Sequence, residues 1–285
     1  MSKWDLTKLG RLATRLAAAT LISGLAWSQT PADAPTHEEQ RRILVAISSY
    51  AEQYVDSLPN FICDQTVQQF EAGRKPKKWH QLDSLTSKLV FTKGREERSL
   101  EMVNGRPVSA HRHVRTPLTS EGEFGILLRE IFNPETDTAF TWANWDTVDG
   151  HQLAVLNFSI DKSHSTLKLT GEMGSGIAPY RGSVTADPKT GEIWKVTDAA
   201  FDIPPIVQTE SIATTIVYSR VTIGDRSFLL PVHATVLLNT GDNNIRNEMS
   251  FEDYRKFESD SKITFTAVDS HDNSPVAAPP PAPEF

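Results

Sequence analysis

With a single cysteine, Cys63, among 285 residues, the chain has no intrachain disulfide framework and no cysteine-rich zinc site. Aromatic residues make up only 8% of it, and the 15 glycines and 17 prolines follow no collagen-like period, which excludes a fibrous chain. No apolar run approaches the roughly 20 residues that span a bilayer core. No lysine- and arginine-rich stripe is present to release counterions from a nucleic acid or an anionic bilayer surface. The densest basic run, Lys75, Lys77 and Lys78, sits beside Gly73 and Pro76 and reads as a solvated turn.

Catalytic signatures are equally scarce. No serine lies in a G-x-S-x-G elbow, and His164 and Ser165 alternate across a strand. His111 and His113 fall on one side of a strand but lack a third ligand, so they read as surface histidines. Glu96 and Glu97 lie between Arg95 and Arg98, a charge-balanced solvated turn rather than an acid/base pair. The glycines of Gly171 to Gly176 lack the lysine of a phosphate loop and read as a flexible connection. Trp142 and Trp145, three apart, are expected on opposite faces of a strand. No metal or cofactor is implied, and a non-enzymatic protein is expected.

What is present begins at the N-terminus. Lys3, Lys8, Arg11 and Arg15 precede the apolar stretch from Leu16 to Trp27, which closes in the small-residue pattern Ala26-Trp27-Ser28. Residues 1–28 read as a secretory signal peptide, placing the protein in the periplasm or outside the cell, not as an integral membrane protein. Removal of that segment takes away four of the 29 basic and one of the 36 acidic residues and leaves a net charge of −10. Residues 29–36 form a polar leader, residues 37–267 one domain, and residues 268–285, rich in proline, an extended tail.

Within the domain, Ile43, Ile47, Tyr50, Tyr54 and Leu58 recur at helical spacing, with Thr36 as N-cap and Pro59 as stop. Turn signals such as Asn104-Gly105, Asp187 to Gly191 and Gly241-Asp242 then separate about eleven β-rich runs. Phe228, Leu230, Val232, Ala234, Val236 and Leu238 are expected to share one pleat face, and Pro231 among them demands a bulge or an edge. A second helix is expected after Ser120 and Glu123, a capping-box pair, with Phe124, Leu127, Leu128, Ile131 and Phe132 as its apolar face. The expected fold is α+β: a strongly curved antiparallel sheet, an incomplete barrel, covered by an N-terminal helix and one inserted helix.

Three stretches give the chain a family resemblance: the helix His37 to Leu58 after the signal segment, the hairpin Tyr180 to Val196, and the closing pair from Leu230-Pro231-Val232 through Asn247 to Phe257. Together they resemble the half-open β-barrel of the LolA/LolB-like lipoprotein carriers of the periplasm. The resemblance implies a helical lid and an apolar cavity for acyl chains; no binding residue of the family is carried over. Two functions follow as expectations. One is a module that binds a lipid or other hydrophobic small molecule between Phe124, Leu127, Leu128 and Ile131 of the inserted helix and Val232, Val236 and Leu238 of the sheet, so that Leu128→Asp abolishes ligand uptake. The other is a cell-envelope protein-interaction module with a filled core.

Overall fold

Thr36 turns the chain into helix α1, His37–Ser57. Its hydroxyl accepts from the Glu39 amide at 3.3 Å, while the Glu39 carboxylate accepts from the Thr36 amide at 2.9 Å. This reciprocal pair satisfies two of the donors that a helix start leaves open. Ile43, Ile47, Ala51, Tyr54 and Val55 are buried along one stripe, and extended Leu58 ends the helix before Pro59, as the spacing predicts. The computed structural model describes residues 34–74, 78–108, 123–148, 150–171 and 173–257. The chain divides between Ala34 and Pro35 into two units, and every element belongs to the second. The signal segment, most of the leader, His111, His113, Ser120 and the proline-rich tail lie outside the described residues.

The strands are β1 (Phe61–Gly73), β2 (His80–Thr92), β3 (Arg95–Val103), β4 (Arg106–Pro107), β5 (Ala139–Val148), β6 (His151–Ile160), β7 (Lys168–Gly171), β8 (Gly174–Ile177), β9 (Tyr180–Ala186), β10 (Ile193–Ala200), β11 (Ser211–Ile223), β12 (Arg226–Asn239) and β13 (Asn243–Lys256). Helix α2, Ile126–Ile131, precedes β5. Eleven strands form one antiparallel sheet in the order β4-β3-β2-β1-β13-β12-β11-β10-β9-β6-β5, whose ends do not pair with each other. The fold is α+β with an incomplete barrel. Strands β7 and β8 form a separate hairpin, so Gly171, Gly174 and Gly176, expected in a flexible connection, lie in strands. Its glycines are there for close approach: a methyl group at Gly171 would fall 2.0 Å from the Val207 carbonyl oxygen, and one at Gly176 2.7 Å from Pro204.

Helix α1 measures the curvature of the sheet. Near its C-terminal end Val55 meets Gly94 in the β2–β3 turn, and Ala46 meets Gly191 in the β9–β10 turn. Those two turns are six strand spacings apart in the sheet, an arc of about 29 Å, whereas Ala46 and Val55 are about 14 Å apart along a helix axis. Only a strongly bent sheet brings both turns to one short helix. Gly191, with φ +74°, is held in the left-handed region, and any side chain there would strike the Ala46 carbonyl.

Register makes the inner face continuous. Val103, Leu85, Val67, Met249, Ala234, Ile216, Val196, Val184, Leu156 and Trp142, one from each strand from β3 to β5, pair in succession across the sheet. All ten are apolar, and they form the floor against which both helices pack.

One end of this floor is forked. Strands β12 and β13 pair only from His233–Ser250 to Asn239–Asn244 and then part, β13 continuing with β1 and β12 with β11. Near the fork the carbonyls of Leu229 and Pro231 accept from the hydroxyls of Tyr54, at 2.8 Å, and Tyr254. Pro231, which has no amide hydrogen for a ladder, stands beside a bulge at Val232: Tyr218 pairs with Pro231 and Val217 with His233. Because the bulge shifts the alternation by one, Phe228 and Leu230 lie on the opposite face from Ala234, Val236 and Leu238, contrary to the six-residue row expected from sequence. Tyr54→Phe removes the buried hydrogen bond to the Leu229 carbonyl and is expected to lower stability by about 1–3 kcal/mol in urea denaturation.

Candidate functional site

Two residues along each strand from the apolar row runs a second inward-facing row with a different chemistry: Phe158, Gly182, Asp198, Thr214, Val236, Asn247 and Gln69. In its middle the side chains are small or polar, so the floor drops away between Ile216 on one side and Ile212 and Leu238 on the other. Above this depression lies a cavity of about 500 Å³. Its roof is Ile126, Leu127 and Glu130 of α2, its side wall Thr166 to Thr170, and its end Val207 and Thr209 beyond the Pro205–Val207 turn. The hairpin glycines that admit Pro204 to Val207 so closely are what set this end wall against β7 and β8.

The lining is apolar with two acids. Leu127, Leu167, Leu169, Val207, Ile212, Ile216, Val236 and Leu238 supply the walls, while Asp198 rises from the floor and Glu130 hangs from the roof. Thr166 donates to Glu130 at 2.9 Å. Burial pushes the Asp198 carboxyl up to about 6; the hydrogen bond from Thr214 opposes that rise, and the charge of Glu130 adds to it. Since this pKa is raised on folding, ionising Asp198 opposes the folded state: its contribution favours folding at low pH and declines as pH rises through about 6.

Of the sequence-predicted site residues, Leu127, Val236 and Leu238 line the cavity. Phe124, Leu128 and Ile131 face the other way and are buried in the core. Phe124 packs among Phe61, at 5.3 Å between ring centroids, and Phe251, at 5.4 Å edge-on. Val232, half-buried, is the bulge residue and does not share the face of Val236. The apolar stripe read as ligand-facing is thus the helix's core face, and the cavity sees its amphipathic flank. Leu128→Asp would bury a carboxylate where the side chain is 0% exposed; the expected outcome is loss of the cooperative unfolding transition in a thermal melt, rather than loss of ligand uptake by a folded protein.

Helix α2 is also shorter than predicted. It begins after Gly125, whose φ of 117° is left-handed, without a side-chain cap, and Glu123 precedes it in a fully buried position. Arg98 reaches Glu123 and Glu96 with the same nitrogen, 2.8 Å from each. The expected solvated turn at Glu96 to Arg98 is instead an inward-facing ion cluster on β3, opposite Phe91 and Leu89, that holds the approach to α2 against the sheet. The Tyr218 hydroxyl donates to the Glu123 carbonyl at 3.2 Å and ties the same segment to β11.

Two further residue types are accounted for structurally. A bulge between Trp142 and Asn144 puts Trp142 opposite Leu156 and Trp145 opposite Ala154, on one face, with ring centroids 4.8 Å apart and edge-on; they are not on opposite faces as expected. Cys63 is buried, and desolvation pushes its thiol up to about 12, which leaves it unreactive. Among the described residues no three histidine, cysteine or acidic side chains are grouped to hold a metal ion, and no helix is long and apolar enough to cross a membrane.

The acid in the floor went unread in the sequence, although its signal is present. Val196, Asp198 and Ala200 share one face of β10, so a charged residue occupies an inward position between two apolar ones.

No protein-family model and no curated protein matches the chain. Among solved structures it is similar to a LolA superfamily protein from Nitrosomonas europaea, with 11% identity over 75% of this chain and 93% of that one and a TM-score of 0.34. It is similar also to a DUF1329 family protein from Desulfovibrio piger, with 10% identity over 79% of this chain and 95% of that one and a TM-score of 0.39. A third similarity is to a domain described as an outer membrane lipoprotein-sorting protein from Vibrio parahaemolyticus, with 9% identity, 76% and 92% coverage and a TM-score of 0.35.

Proposed function

We propose that this protein is an exported, non-catalytic binding module that holds a lipid or other hydrophobic small molecule in the cavity beneath α2. The observation that carries this reading is the cavity itself: about 500 Å³ walled mainly by aliphatic side chains, within the ~300–1,000 Å³ typical of small-molecule sites. Each buried methylene contributes about 0.8 kcal/mol, so an alkyl chain binds without any specific polar motif. Export rests on the basic and apolar pattern of residues 1–28. Exposed apolar side chains lie beside the cavity: Ile126 on α2 at 49%, and Ile206 at 48%, which meets Gly174 of the hairpin. They offer an entering chain an apolar approach. Organic extraction of the protein purified in detergent-free buffer, followed by mass spectrometry, tests the reading. A stoichiometric alkyl-chain compound is expected. A protein that yields none, and that neither binds a hydrophobic dye nor takes up fatty acid from vesicles, refutes it.

A further inference from the structure

We infer that the cavity selects an amphiphile whose polar end is a cationic amine, held by Asp198 on the floor with Glu130 on the roof. This deepens the proposed hydrophobic-ligand function and rests on it. Asp198 and Glu130 are both half-buried lining residues, and neither forms a salt bridge among the described residues. Lys168, the one cation in the lining among the described residues, belongs to the exposed edge of the side wall. Two carboxylates approaching one apolar space repel each other in the empty site, and a cation between them relieves that repulsion and restores solvation that burial removed.

Gly182, paired with Asp198 across β9 and β10, keeps the two strands in close approach: a methyl group there would fall 1.8 Å from the Thr197 carbonyl oxygen. The Tyr180 hydroxyl, buried and without a hydrogen-bond partner among the described residues, lies within electrostatic reach of both acids. An anionic head, as in a fatty acid, would be repelled by Asp198 and Glu130 and would lose hydration on leaving water. The aliphatic walls on either side, Ile216 against Ile212 and Leu238, leave the chain lying along the floor with its head over Asp198.

The test compares three probes of equal chain length, dodecylamine, dodecanol and dodecanoic acid, each displacing a hydrophobic dye from the full mature protein at pH 7.5. Dodecylamine is expected to bind at least ~10-fold tighter than dodecanoic acid, the size of one charge-assisted hydrogen bond. Asp198→Asn, nearly isosteric, is expected to remove most of that preference, and Glu130→Gln to remove a smaller part. Equal binding of amine and acid by the unaltered protein, with dodecanol bound, overturns the head-group selection and leaves the hydrophobic site standing. So does a preference that survives in both variants. Failure of all three probes to displace the dye overturns the site reading and the selection together.

Discussion

Val236→Trp is expected to leave the protein folded and to weaken binding of a dodecyl probe by roughly 50-fold. Val236 lies on the cavity floor beside Thr214, and its side chain is 2% exposed. An indole at that position has one place to go, the space of about 500 Å³ above it. Filling an apolar void recovers contacts that the lining lacks, so the melting temperature should hold or rise. A ligand denied room for about three methylenes loses ~2.4 kcal/mol, which is the factor of roughly 50. Dye displacement and a thermal melt on the same sample check both halves. Undiminished probe affinity in a stably folded variant would show that the ligand lies elsewhere.

Arg98→Ala is expected to cost about 3–5 kcal/mol of stability. The guanidinium faces Glu123, whose side chain is 0% exposed, and Glu96, at 8%, both at 2.8 Å. Truncation would remove the guanidinium that the two carboxylates share. The cost arises from their desolvation and mutual repulsion more than from a favourable ion cluster, since forming such a cluster already costs several kcal/mol per buried ion. A double variant that also carries Glu123→Gln removes one of the two carboxylates that Arg98 joins, so it should recover part of the loss and reveal coupling between the two positions. Urea denaturation of the single and double variants measures this. Because Glu123 lies just before α2, the same substitution should loosen the cavity roof, and amide hydrogen exchange over Ile126–Ile131 should accelerate with it.

Local signals read well wherever the physics was local. Thr36 with Glu39 fixes the start of α1 through bonds three residues apart, and Asp187 accepts from the Lys189 and Thr190 amides, both at 2.8 Å, within the turn that carries Gly191. The inserted helix is shorter than its apolar pattern predicts and turns that pattern toward the core. Its apolar stripe is genuine, yet a stripe does not say whether core or cavity lies opposite. Bulges were the second source of error. One extra residue at Val232, and another between Trp142 and Asn144, reverses which side chains share a face. Pro231 announced the first of these, while nothing around Ala143 announces the second.

The order of helix, hairpins and helix, the need for curvature, and the apolar character of the inner face were determined by the sequence alone, because capping, turn chemistry and alternation act over a few residues. Tertiary structure alone decided that β1 lies between β2 and β13, that the sheet forks where two tyrosine hydroxyls donate to backbone carbonyls, and that Arg98 meets Glu123. It also set Asp198 beside Gly182 and Thr214 under the amphipathic flank of α2, where the floor falls away. Those juxtapositions join residues far apart in the chain, and register and bending, which emerge only when the whole sheet closes over its helices, bring them together.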